Sequence, residues 1–490
     1  MRVLFSSSPR LPWLLLIGLA VGLRLGVMLA GPERLTQDRD LYLGIANEMR
    51  AGHGYATPGS DPPQATAFRP PLYPLILSLT GGSRVGIAVL HLLLAGVMVV
   101  ATGVVAERMV GRSRCCGLSA GLLAGGIVAV DPLLLLYSGQ PMTETLCSCL
   151  SAVLLWWVAS KNIGMCGLKP TLRTLAPVDE VHGSMVVDRG LERVELPPHP
   201  SPLPHGEVIS ESQTHCGGEG AGGRKYAVVE GVLWGLCLLA RPTYAVALGL
   251  WLMGRVLLGV RKSGAALPGL RCGLLVGVVA LAVVSPWAIR NWVVFGRPIV
   301  TTTHGGYTLW LANNPVYYSE VIEGTDAVWN GESLNRWQYA TDVEMDRIQV
   351  HGEVARDRWL SQHAKEFIQA NPQRFARACL HRGLAFWAIW PGRAGDSGVP
   401  LAIQWLIAGG YAALWIGGVV TAFRLVRSGE WQRLLPAFCL IVGFFAVHLV
   451  YWTDGRMRAP IIPAVALLVA VGFSQKNRCV SVKPSDASEG

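Results

Sequence analysis

The chain has 490 residues, of which 51% are hydrophobic and 15% charged, with a positive mean hydropathy and a net charge of +10. Soluble domains carry about 25% charged residues, so a soluble fold is excluded and a membrane class is indicated. The basic excess does not describe a nucleic-acid surface. The arginines stand in short clusters beside apolar runs, without interleaved aromatics, a pattern that orients membrane helices.

Residues 12–30 form the first apolar run, long enough to cross a bilayer core, which takes about 20 residues. Arg2 and Arg10 precede it as they would a signal peptide, but no small-residue cleavage site lies before Gly31, so a retained helix is expected. Arg24 interrupts the run. It is expected to snorkel to the outer interface, an acid inside the bundle being the other reading. Further spans are read at 84–106, 116–136, 142–159, 226–240, 243–259, 270–288, 399–422, 433–452 and 459–474. The expectation is an all-α polytopic bundle of about ten to thirteen membrane helices.

Three basic clusters fix an orientation: Arg108, Arg112 and Arg114; Arg255, Arg261, Lys262 and Arg271; Arg424, Arg427 and Arg433. They place both termini in the cytoplasm, and the segments 31–83 and 289–398 on the opposite side. The domains then run as 1–161, an N-terminal membrane region with the loop 31–83, followed by 162–225, 226–288, 289–398, 399–475 and a tail at 476–490. Of the eleven cysteines only Cys379 falls in an outer segment, so no disulfide framework is read.

Segment 162–225 contains LPPHPSPLPHGE and THCGGEGAGGRK and has no hydrophobic period. Such sequence cannot bury enough apolar area to order itself, and a disordered cytoplasmic insertion is expected. Its His182, His199, His205, His215 and Cys216 match no zinc spacing. Segment 289–398 is too long for a connector, and a small cap over the membrane site is expected.

The chemistry concentrates after the first span, in TQDRDLYLGIANEMRAGHGY from Thr36 to Tyr55, followed by FRPPLYP from Phe68 to Pro74. Asp38 and Asp40 lie two residues apart, then Tyr42 and the Gly52–Gly54 turn around His53. Ionisable groups at the mouth of a membrane domain are functional candidates. The bland reading is a solvated loop at the membrane edge. His53 between glycines reads as turn chemistry.

Six motifs recur in order along the chain: D-x-x-x-Y with G-x-G-Y, R-P-P-L-Y-P, P-x-x-x-x-Y-S-G-x-x-x-T-E at Pro132 to Glu144, L-x-R-P around Arg241, P-W-x-x-R-N at Pro286 to Asn291, and R-x-R-x-P-x-x-P at Arg456 to Pro463. In these the chain resembles the membrane-embedded glycosyltransferases of the class C fold. More narrowly it resembles the bacterial relatives of the dolichyl-phosphate-mannose protein O-mannosyltransferases, including the lipid A aminoarabinose transferase. The insertion at 162–225 departs from the pattern. The resemblance implies a polyprenyl-phosphate sugar donor and a lipid, glycan or protein acceptor, with the site on the periplasmic face of the inner membrane. It implies Asp38 as the catalytic base, Arg69 at the lipid phosphate and Glu144 as an acid on the outer face. Arg241, Arg290, Arg456 and Arg458 match basic positions around the phosphate.

Taken by itself the chemistry needs a carboxylate at the acceptor hydroxyl, with Asp38 the candidate and Asp40 the reserve. It also needs cations at the leaving phosphate, a task suited to arginine's forked donors. Tyr42, Tyr307, Trp310 and Asn313 are candidates to stack on or hydrogen-bond the sugar. No cofactor is expected, although Asp38 and Asp40 could share a divalent ion. A glycan polymerase or ligase, or a transporter of lipid-linked sugar, remains an alternative; a transporter would tolerate Asn in place of Asp38.

Overall fold

The computed structural model describes residues 10–110, 114–115, 118–165, 221–263, 267–324, 331–391 and 399–476. Apart from its edges, the 162–225 insertion lies outside the described residues. In chain order the helices are α1 (Arg10–Ala30), α2 (Tyr42–Arg50), α3 (Leu72–Ser78), α4 (Arg84–Val110), α5 (Ala120–Val130), α6 (Pro132–Ser138) and α7 (Thr143–Met165). There follow α8 (Ala221–Ala240), α9 (Tyr244–Ser263), α10 (Leu267–Phe295), α11 (Gly305–Ala312), α12 (Pro315–Tyr317), α13 (Glu332–Arg347), α14 (Glu353–Ala370), α15 (Pro372–Phe386), α16 (Leu401–Arg427), α17 (Leu435–Val450) and α18 (Ile462–Lys476). The only strands among the described residues are the two-residue pair Arg114–Cys115 and Leu118–Ser119.

The chain is an all-α, multi-pass membrane protein. Among the described residues six helices are long and apolar enough to cross a bilayer, and the bent pair α5 and α6 makes a possible seventh. The apolar parts of α7 and α9, at Thr143–Ala159 and Tyr244–Leu258, are shorter. Helix α18 packs at the centre, most of its residues buried, whereas α1 and α16 turn rows of leucine, isoleucine and valine outward as lipid-facing helices do. Where α4 meets α5 the backbones touch. A Cβ on Gly103 would come within 2.8 Å of the Gly121 carbonyl oxygen, and one on Gly121 within 2.7 Å of that of Gly103. Small residues permit such approach, and packing between membrane helices depends on it.

The break between α5 and α6 follows from Val130-Asp131-Pro132. Proline pushes the residue before it out of the helical region, and Asp131 sits at φ −58°, ψ 121°, bending the pair by 53°. Asp131 Oδ1 accepts from the Leu134 amide at 2.9 Å and caps α6. Arg24 satisfies the other side, donating to the carbonyls of Ala129 at 3.0 Å and Val128 at 3.1 Å. This corrects the expectation that Arg24 snorkels: it is fully buried, because the broken span frees carbonyls that lipid cannot hydrogen-bond.

The two long connecting regions meet at one end of the bundle. The Thr303 amide bonds the Ala67 carbonyl at 3.0 Å, and the Trp452 amide, just beyond α17, ties the second region to the bundle through the Thr308 carbonyl at 3.3 Å. The second region forms a helical cap in which α11, α13 and α14 pack around Leu309, Trp310, Met345, Leu360 and Ala364, while α12 and α15 meet through Tyr317, Tyr318 and Ala378.

Candidate active site

Asp40 is the hub of the site. Its Oδ2 accepts from Arg456 Nη1 at 2.9 Å, while Arg69 donates from Nη2 to Oδ1 at 3.2 Å and from Nε to the Asp40 carbonyl at 2.7 Å. Residues from two neighbouring motifs and one 416 residues away therefore converge on one carboxylate. Arg456 continues to Asp454, whose Oδ2 lies 3.3 Å from its Nε. A second pole lies beside it: buried Glu144, in the first turn of α7, stands 3.8 Å from Arg241 Nη1, and Arg241 Nη2 meets Met457 Sδ at 2.6 Å.

Asp38 is held next to this hub by a tight turn. Leu41 adopts φ +64°, ψ 10°, a left-handed conformation uncommon for leucine, and opens α2 immediately after Asp40. Such strain persists only where the surroundings over-determine it. It returns the Gly44 amide to within 2.6 Å of Asp38 Oδ2. A Cβ at residue 44 would lie 2.5 Å from Pro58 Cγ and 3.1 Å from Asp38 Oδ2, so the approach requires glycine. Asp38 Oδ1 is buried and has no hydrogen-bond partner among the described residues. Burial raises the Asp38 carboxyl above its ordinary pKa, and Asp40 adds to the rise; the Gly44 and Leu43 amides and Arg69 oppose it.

His304 completes the Arg69 corner, and the sequence did not single it out. Its Nε2 lies 3.1 Å from Arg69 Nη1. A guanidinium only donates, so Nε2 accepts and the ring proton sits on Nδ1. Burial, with the charges of Arg69 and Arg456, pushes the His304 pKa well below the ordinary value, and the ring is neutral. Phe68 stands edge-on to it at 4.3 Å, and Tyr307 lies tilted at 5.1 Å. Tyr42 is buried beneath, with the Arg69 guanidinium 5.2 Å over its ring. Tyr42 packs edge-on against Tyr73, whose hydroxyl bonds His91 Nε2 at 2.7 Å; His91 Nδ1 donates to the Ser138 carbonyl at 2.7 Å. That chain of contacts fixes the R-P-P-L-Y-P turn against α4 and α6.

A carboxylate in the cap ties the two regions together. Glu353 accepts from Thr66 Oγ1, from the Ala67 amide at 2.8 Å and from Thr303 Oγ1. Nothing in the local sequence marks Glu353, because its partners lie far along the chain.

The structure thus brings together Asp38, Asp40, Tyr42, Arg69, Glu144, Arg241, Tyr307 and Arg456. Other expected residues point elsewhere. Arg290 donates to the carbonyls of Thr66 at 2.7 Å and Tyr55 at 2.8 Å, stitching the first loop. Arg458 is buried, stacks 4.4 Å over Tyr411 and donates to the carbonyls of Phe386 and Ala388, while its neighbour Asp454 pairs with Arg456. Asn313 is buried and donates to the Leu309 and Val450 carbonyls, and Trp310 stacks at 3.9 Å on Trp337 inside the cap. Both side chains are buried and engaged within the protein. His53 lies 2.7 Å from Glu48 in an exposed turn. Among the described residues no three His, Cys, Asp or Glu side chains are grouped as a metal would need. A shared ion at Asp38 and Asp40 would have to displace two guanidinium groups from Asp40.

No protein-family model and no curated protein matches the chain. Among solved structures it is similar to the archaeal oligosaccharyltransferase AglB from Archaeoglobus fulgidus in complex with an inhibitory peptide and a dolichol-phosphate. That likeness has a TM-score of 0.45 and 13% identity over 97% of this chain and 52% of the other. The apo oligosaccharyltransferase of the same organism gives 0.47 and 12%, over 96% and 51%. The chain spans about half the length of these proteins.

Proposed function

We propose that the chain is an inverting glycosyltransferase. It moves a sugar from a polyprenyl-phosphate donor to an acceptor hydroxyl at the loop-bearing face of the inner membrane. The observation that carries this reading is the Arg69–Asp40–Arg456 hub next to Asp38, whose one oxygen is fixed by an amide while the other is unengaged.

In the proposed step the acceptor hydroxyl gives its proton to Asp38 Oδ1 as its oxygen bonds the anomeric carbon. The bond from that carbon to the phosphate oxygen breaks with its electrons on the phosphate. A base works best with a pKa near the operating pH, and the raised Asp38 carboxyl is shifted in that direction. The phosphate takes Asp40's place as the partner of Arg69 and Arg456. Exchanging one anion for another keeps both guanidinium groups paired, and the released Asp40 side chain, 17% exposed, passes to water. Arg241, whose Nη1 has no hydrogen bond among the described residues, is a third donor to the same oxygens. His304, neutral, holds Arg69 without competing for the anion.

The test is consumption of a radiolabelled pool of polyprenyl-phosphate sugars, with a lipid, glycan or protein acceptor, by wild type beside Asp38→Asn. Donor consumed by wild type alone supports the reading. Donor bound by both and consumed by neither would overturn it in favour of a transporter.

A further inference from the structure

A second candidate site lies on the cap, outside the hub. A cleft of about 680 Å³ runs between the strap that follows α10 and one face of α14. Arg297, Thr302 and Thr303 line it from the strap; Arg358, Ser361 and Lys365 line it from α14. Arg358 and Lys365 stand seven residues apart on one helical face, about 10 Å along the axis. None of the three cations has an ion pair or side-chain hydrogen bond among the described residues. The two carboxylates in the cleft are turned to other donors, Asp357 Oδ1 to the Gly306 and Tyr307 amides and Glu366 to Gln362 at 2.9 Å, and the three cations outnumber them. Thr303 Oγ1 is spent on Glu353, but the Thr302 and Ser361 hydroxyls have no side-chain hydrogen bond among the described residues, and free hydroxyls beside free cations are what a phosphate needs.

The cleft also sits where lipid arrives. Helix α10 is one of the candidate spans, and its last turns expose Trp292 at 61% and Val293 at 81%. An exposed tryptophan at the end of a span marks the membrane interface. Gly296, at φ +67°, then turns the chain so that Arg297 opens the strap immediately beyond the apolar surface. Ile299 and Val354 line the cleft among its polar groups.

We propose that this cleft binds the phosphate headgroup of an anionic phospholipid, whose acyl chains lie along the exposed face of α10. Arg297, Arg358 and Lys365 hold the phosphate, and Thr302 and Ser361 donate to its oxygens. The ligand then lies against the helix whose Glu353 and Asp357 tie down the strap and α11, next to His304. The proposal is independent of the reaction assigned to the hub.

Native mass spectrometry of the detergent-purified full chain tests it, with phosphatidylglycerol and phosphatidylcholine of equal chain length as probes. Wild type is expected to retain phosphatidylglycerol preferentially. Each cation at a membrane surface contributes about fivefold, so R297Q/R358Q/K365Q is expected to lose the preference almost entirely. A matched triple at exposed cap positions outside the cleft, R336Q/R347Q/R377Q, is expected to keep it. The proposal fails if wild type shows no preference, or if the matched triple loses it equally. It also fails if free glycerol phosphate displaces the lipid at equal concentration, since that would mark a site for a soluble anion.

Discussion

Two groups of arginines divide the molecule. At the hub Arg69 and Arg456 share the Asp40 carboxylate, and Arg241 faces Glu144. Elsewhere Arg24, Arg290, Arg382 and Arg458 spend donors on backbone carbonyls, as Arg382 does on Leu449 at 2.7 Å and Ala312 at 2.8 Å. The difference is one of exchangeability. A carbonyl belongs to the fold and cannot leave, so the second group are staples. A carboxylate partner can be replaced by a phosphate of like charge, so the first group can take part in a reaction.

The sharpest test of this division begins with the base. D38N is expected to lower the rate of donor consumption by about a thousandfold while the protein still folds, as checked by its melting profile in detergent. Next comes R456Q, which is expected to lose about a hundredfold in turnover, with R456K recovering part of it as a point charge. If R458Q lost as much turnover as R456Q while keeping its stability, the division into staples and exchangeable arginines would be wrong.

Staples are expected to register in stability instead. R24Q leaves carbonyls of Val128 and Ala129 without a donor and should destabilise by about 3 kcal/mol, given the strength of hydrogen bonds to charged groups. Thermal unfolding in detergent would measure this, and turnover per folded molecule should be kept. G44A pushes on Pro58 and moves the amide that fixes Asp38, and is expected to cost about tenfold in turnover by misplacing the base.

The smallest effect is in pH. As the proposed base Asp38 would work deprotonated, so activity should be lost as pH falls through the Asp38 pKa. Because burial raises that value, the acid limb of kcat/KM should lie above the usual carboxylate value of about 4. In G44A the limb should move higher still, since the Gly44 amide opposes the rise. A limb at the ordinary value in both proteins would mean that another group is titrating.

Much of the membrane architecture was legible because lipid imposes a length and an apolar composition on each span, and both are properties of contiguous sequence. Asp38, Asp40 and Arg69 were also legible, being close in the chain and charged where charge is expensive. What tertiary structure decided is the partner of each charge. Asp40 meets Arg456 across 416 residues, and Glu353 meets Thr66 across 287. The spacing of R-x-R says that two arginines are present at 456 and 458, and nothing about their directions. The short 3-10 segment Gly455–Ile461 sends one to Asp40 and the other to the end of α15. Arg24 was misjudged for the same physical reason. Its apolar surroundings suggested escape to the interface, whereas the carbonyls released by the α5–α6 break, more than 100 residues on, gave it buried partners. Local composition determines where a charge is costly; only the packed chain determines what relieves that cost.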